Sequence, residues 1–183
     1  MKHVMLDLET FGTRAGCVVR SIGAVQFDLN GAMSASFYAN VDRASCEAVG
    51  LTIDPNTANW WAQQSKEAQA ALLVDPKPLS DVATAFNEWF AKTGATHVWA
   101  HGAGFDAPIW EAASLAAKRP IPWKFYNVRD TRTVYDLFDF DIRDIRRDGT
   151  YHNALDDAKY QVACVAAALR KGRPAAAAAD AFG

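Results

Sequence analysis

Met5-Leu6-Asp7-Leu8-Glu9-Thr10 places two carboxylates two residues apart inside an apolar run. Side chains alternate along a strand, so Asp7 and Glu9 share a face, with Cα atoms roughly 7 Å apart. Two negative groups on a largely buried face repel each other, and burial of either charge is unfavourable unless something compensates. A hard divalent cation is the usual compensation, because it takes carboxylate oxygens. A second cluster, His152-Asn153-Ala154-Leu155-Asp156-Asp157, supplies further acids and a histidine. Those parts suit metal-assisted hydrolysis.

Outward from this stretch, the pattern reads as strands followed by alternating strands and helices. Val4–Leu8 is a strand buried on both faces. Ser21–Leu29 and Ser36–Val41 complete an antiparallel three-strand meander, with Asp28-Leu29-Asn30-Gly31 as turn chemistry. Asp54-Pro55 supplies a cap and a first-turn proline for a helix carrying Trp60 and Trp61. Ser65–Leu73 and Ser80–Lys92 read as helices, the latter with Val82, Phe86, Trp89 and Phe90 on one stripe. His97–His101 is a short strand, with helix expected from Gly104 onward and over Asp130–Phe138. Asp139–Thr150 is charged and irregular. Asn153–Lys171 is a long helix whose inner face carries Leu155, Ala158, Val162, Val165 and Leu169. The fold class expected is α/β, a mixed sheet flanked by helices.

The 183 residues, half of them hydrophobic, suffice for one compact domain over residues 1–171. Residues 172–183, with the alanine run 175–179, read as a low-complexity, disordered tail. No apolar run approaches the 18 or so residues of a membrane span, and Met1–Asp7 turns acidic before a secretory apolar region could form. Cys17, Cys46 and Cys164 are odd in number and widely spaced, which fits a reduced cytoplasmic location and argues against a disulfide framework. Net charge is −2, so no strongly basic surface announces a nucleic-acid binder. Residues 118–183 carry 12 Lys/Arg against 9 Asp/Glu, while residues 1–117 carry 7 against 12. The later segment is thus mildly positive (+3) and the earlier negative (−5).

With Asn153 as N-cap of the last helix, Asp157 falls about 110° from the centre of the apolar stripe and Asp156 about 150°. Asp157 therefore borders the buried face, and Asp156 points toward water. Asp7-x-Glu9, Phe105-Asp106 after a short strand, and His152 with Asp157 together resemble the DEDDh branch of the DEDD exonucleases. The segment Asp54–Ser65, with its paired tryptophans, also resembles small phage and bacterial exonuclease VIII-like proteins and a mycobacterial-type exoribonuclease group.

The resemblance implies a ribonuclease H-like fold and a metal-dependent 3′–5′ exonuclease in a bacterial or phage cytoplasm. It implies two Mg²⁺ or Mn²⁺ ions, one held by Asp7, Glu9 and Asp157, the other by Asp7 and Asp106. His152 is implied as general base. The substrate would be the 3′ end of single-stranded RNA or DNA, and the product a nucleoside 5′-monophosphate. Many relatives are dimers, so a homodimer is among the expectations. Thr10 and Phe11 are candidates for holding the terminal nucleotide, through a backbone N–H and a stacked or wedged ring. Trp60 and Trp61 diverge by about 100°; one packs in the core and the other can meet substrate, for which Trp61 is the candidate. His101 stands where the family often has Asn, and is a substrate-contact candidate.

Two other readings compete. One is a non-catalytic nucleic-acid-binding module on the same fold, which the intact set of acids argues against. The other is a nicotinamide-dependent oxidoreductase, since Gly102-Ala103-Gly104 follows a strand and opens a helix. No acid is cleanly placed about 20 residues on to hold a ribose. Arg143, Arg146 and Arg147 could steer phosphates, but a solvated charged loop is the simpler expectation.

Overall fold

The computed structural model describes residues 1–172; the expected tail falls outside these residues apart from Gly172, which closes the last helix. Strands β1 (His3–Thr10), β2 (Val19–Phe27), β3 (Met33–Asn40), β4 (His97–Ala100) and β5 (Val128–Asp130) form one sheet in the order β3-β2-β1-β4-β5. The β1–β2 and β2–β3 pairs are antiparallel, as the meander requires, and β4 and β5 add parallel to β1. The helices are α1 (Arg43–Ala48), α2 (Pro55–Ala62), α3 (Lys66–Ala71), α4 (Leu79–Thr93), α5 (Asp106–Ala116), α6 (Thr131–Leu137) and α7 (Ala154–Gly172).

Alternation along β1 sorts its residues between two cores. Val4, Leu6 and Leu8 join Ile22, Phe86 of α4 and Trp110 of α5 on one side of the sheet. Met5 joins Val25, Phe27, Trp99 and the α7 residues Val162, Val165 and Ala168 on the other. Phe86 and Trp110 are wholly buried, each contributing on the order of 2–3 kcal/mol of apolar transfer. Asp7 and Glu9 continue the Met5 face and so point toward α7.

The expected cap at Asp54, with Pro55 in the first turn, holds α2. The Asn153 side chain accepts from the amides of Leu155 and Asp156 at 3.1 and 3.2 Å, capping α7. Two elements were not visible in the pattern. Helix α1 starts at Asp42, whose carboxylate accepts from the Ser45 amide, and β5 spans three residues. Gly23 lets α7 come close to β2. A Cβ there would lie 2.2 Å from the backbone of Ala154 and Leu155. Because Gly23 is the register partner of Asp7, this approach brings the first turns of α7 onto the acidic end of β1.

Candidate active site

Four acidic side chains from three elements meet at that end of the sheet. Asp7 and Glu9 come from β1, Asp106 from the first turn of α5, and Asp157 from the first turn of α7. Asp106 is fixed from β1 and from the residue just after β4: its carboxylate accepts from the Leu8 amide at 3.0 Å and the His101 amide at 3.3 Å. Glu9, His152 and Asp157 each present a donor atom within 4.8 Å of the others, a spacing that could hold a metal ion. Gln161, one turn beyond Asp157, donates to Asp7 Oδ1 at 2.6 Å.

Burial dominates the electrostatics. Desolvation, then the Asp106 and Glu9 charges, push the Asp7 carboxyl well above the usual carboxylate range. Desolvation and the Asp106 charge raise Glu9 to about 8. Asp106 is raised by burial to about 7, against the amide hydrogen bonds that favour its charge. Such a cluster calls for positive charge. Arg147 brings one: its guanidinium pairs with Asp157, the two side chains being 17% and 16% exposed. It also packs over the rings of Tyr151 and Tyr160 at 4.1 and 5.2 Å. The expectation of a solvated loop holds for Arg143 and Arg146, which are exposed and pair with Asp141 and Asp148. It fails for Arg147, because the loop folds back on α7.

His152 sits just before α7 with φ of 61°, a left-handed conformation in which histidine is enriched. Its ring packs edge-on against Trp60 and Trp61, with centroids 4.9 and 5.9 Å away. Burial, then the Arg147 charge, lower its pKa, so the imidazole stays neutral to lower pH than in water.

Beside the acids lies a cavity of about 510 Å³, whose walls include Thr10, Gly12, Asn56, Trp60, Trp61 and Phe105. Trp60 is 43% exposed, whereas Trp61 is 4% exposed and buried with Ala68 and Leu72. The Trp61 indole donates to the Thr10 carbonyl at 2.9 Å. The sequence candidate is therefore a buried wall of the cavity, and its neighbour is the available ring. Phe11 is turned away from the cavity: it packs among both neighbouring core groups, under the Arg20 guanidinium at 5.0 Å. The reason is a register shift between Glu9 and Thr10, which breaks the alternation that would have carried Phe11 to the acidic face. Phe105, from the loop before α5, lines the cavity instead. Thr10 is buried, with its hydroxyl donating to the Gly12 carbonyl at 2.6 Å. His101 lies apart from this cavity, on the polar side of Asp106, with both ring nitrogens in hydrogen bonds.

The glycines of the 102–104 loop open α5 beside Asp7 and Asp106. A dinucleotide pyrophosphate placed there would face buried carboxylates, which disfavours the oxidoreductase reading. Among the described residues, no helix is long and apolar enough to cross a membrane.

Solved structures share this architecture. The nuclease domain of 3′hExo, a DEDDh family member bound to rAMP, aligns with a TM-score of 0.59 at 12% identity, over 93% of this chain and 92% of that one. S. pombe Pop2p, in a form bound to Mg²⁺ and Mn²⁺, aligns at 0.56 with 14% identity, over 90% and 81%. E. coli ExoI, in a zinc-bound complex with single-stranded DNA, aligns at 0.62 with 12% identity; the match spans 88% of this chain but 38% of ExoI. No curated protein matches the chain. At these identities the likeness establishes the ribonuclease H-like fold. The family follows from the sequence as a whole, since residues 2–169 match the domain described as 3′–5′ exoribonuclease Rv2179c-like. With nearly all of its length accounted for, the chain belongs to the Rv2179c-like family of 3′–5′ exoribonucleases.

Proposed function

We propose that this exonuclease removes nucleoside 5′-monophosphates from the 3′ ends of single-stranded RNA, using two Mg²⁺ or Mn²⁺ ions held by Asp7, Glu9, Asp106 and Asp157. The convergence of these four acids beside a nucleotide-sized cavity carries the reading. The donor set fits hard divalent cations. All four side chains offer oxygen, and burial makes the charges of Asp7, Glu9 and Asp106 unfavourable without positive charge nearby. When bound, such ions would polarise the phosphodiester and make a water acidic enough to attack it.

The chain's own groups supply the rest. His152, neutral and within reach of Glu9 and Asp157, accepts the proton of the attacking water as general base. The cavity of about 510 Å³ lies within the usual range for a small-ligand site. The exposed Trp60 and the Phe105 ring form its stacking surfaces, and the buried Trp61 keeps the Thr10 carbonyl and the loop after β1 in place. Gln161 donates to Asp7 Oδ1 and so fixes the carboxylate's orientation. The family description favours RNA over DNA.

A time course on 5′-labelled RNA and DNA oligomers of matched sequence, with Mg²⁺, Mn²⁺ or EDTA, tests the proposal. The expected result is shortening from the 3′ end, faster on RNA, abolished by EDTA and by Asp7→Asn. Undiminished cleavage by folded Asp7→Asn would reject the assignment.

A further inference from the structure

We infer that Arg132 is a substrate-positioning residue, holding a backbone phosphate of the strand on the 5′ side of the scissile bond, with His101 holding Arg132. The inference rests on the exonuclease reading above and assigns a second half to its site. Asp7 lies in the wall shared by two cavities. One is the Trp60-lined cavity described above; the other, about 480 Å³, has His101, Asp106, Asp130 and Arg132 in its wall. An exonuclease must grip its chain on both sides of the bond it cuts. The aromatic side suits a terminal base, and the side with a cation suits the continuing strand.

Arg132 is exposed, and among the described residues no carboxylate is within ion-pair distance of it. Its Nε donates to His101 Nε2 at 3.3 Å. A guanidinium can only donate, so Nε2 is the lone-pair nitrogen of the ring. The proton therefore sits on Nδ1, which donates to the buried Thr131 hydroxyl at 2.8 Å. With both nitrogens committed, His101 has none left for nucleic acid; it acts through Arg132. The guanidinium lies across the Gly102 backbone, where a Cβ would come within 3.8 Å of Arg132 Cζ. Gly102 has φ of 115°, and its amide is tied to Asp130 Oδ1 at 3.0 Å.

The nearby Asp130 carboxylate is occupied by that amide and by those of Arg132 and Thr133, together with the Thr133 hydroxyl. It is thus engaged in shaping the loop and does not neutralise the arginine. What remains is a fork of N–H donors, anchored at one nitrogen, beside buried acids that would otherwise repel a phosphodiester. Planar, two-pronged recognition of phosphate is what such a fork does.

The test compares an RNA oligomer with the p-nitrophenyl ester of a nucleoside 5′-monophosphate, which has a terminal nucleoside but no upstream strand. Arg132→Ala should lower the ratio of RNA to ester kcat/KM about tenfold, mainly through KM on RNA. The slope of log KM against log salt should fall by about 0.7, the value for one phosphate contact on a single strand. Arg132→Lys should restore the salt slope but only part of the affinity, and His101→Ala should shift the ratio in the same direction by less. A ratio and salt slope unchanged in Arg132→Ala would overturn the inference while leaving the nuclease intact. A wild-type protein that cleaves neither compound would sink the nuclease reading, and this inference with it.

Discussion

Glu9→Gln should make the metal-free protein more stable at high pH while removing its activity. Burial and the Asp106 charge raise the Glu9 carboxyl from 4.5 to about 8 in the fold. An acid raised on folding binds its proton more tightly in the native state. Its contribution to stability is therefore full below the unfolded value and is lost as pH rises toward the folded one. Each tenfold gain in proton affinity on folding is worth about 1.4 kcal/mol, so the wild type should lose about 3 kcal/mol between about pH 5 and about pH 8 through this group alone. The glutamine amide has its own burial penalty, but that penalty does not vary with pH and cancels in the comparison. For a domain of this size 1 kcal/mol moves the Tm by about 2–4 °C. The Tm difference, variant minus wild type, should therefore grow by about 6–12 °C across that window. Thermal melts in EDTA at several pH values read it directly. Parallel curves for the two proteins would refute the idea that a buried, repelling carboxylate sits at this position.

Three further outcomes follow from the geometry. Arg147→Met leaves Asp157 without its partner in the metal-free state, and melts in EDTA should show a loss of about 3 kcal/mol; a Tm equal to wild type would mean the pair is not formed in solution. Gly23→Ala forces a methyl into the backbone of Ala154 and Leu155, costing about 3 kcal/mol in a urea melt and moving Asp157, so that retained full activity would contradict the close approach of α7. Trp60→Ala should raise KM on oligonucleotides with stability changed by less than about 1 kcal/mol, whereas Trp61→Ala, which empties a buried site, should cost about 3–5 kcal/mol; reversed effects would exchange their assignments.

The acidic pair of β1 was legible because strand alternation is a local rule, and Met5, Asp7 and Glu9 obey it up to the register shift after Glu9. Beyond that shift counting fails, which is why Phe11 points away and Phe105, distant in sequence, lines the cavity instead. Helical periodicity placed Asp157 at the edge of the buried face. The same counting could have found Gln161, four residues on, but an amide on a helix carries no chemistry until its partner Asp7 is known. Strand β5 is too short for any period to register, and its position beside β4 comes from sheet pairing alone. Arg147 is surrounded in sequence by charged residues and reads as solvated. Only the fold-back of the loop onto α7 places it against Asp157. The tryptophan pair was recognisable as divided between core and cavity, but which ring does which depends on how α2 lies against the loop after β1.

Anomalous diffraction from crystals soaked in Mn²⁺ bears most directly on the site as a whole. Two manganese peaks within coordinating distance of Asp7, Glu9, Asp106 and Asp157 oxygens, with the Arg147 guanidinium moved off Asp157, are the result expected. A fully soaked crystal with no peak among those carboxylates, and Arg147 still seated on Asp157, would contradict it.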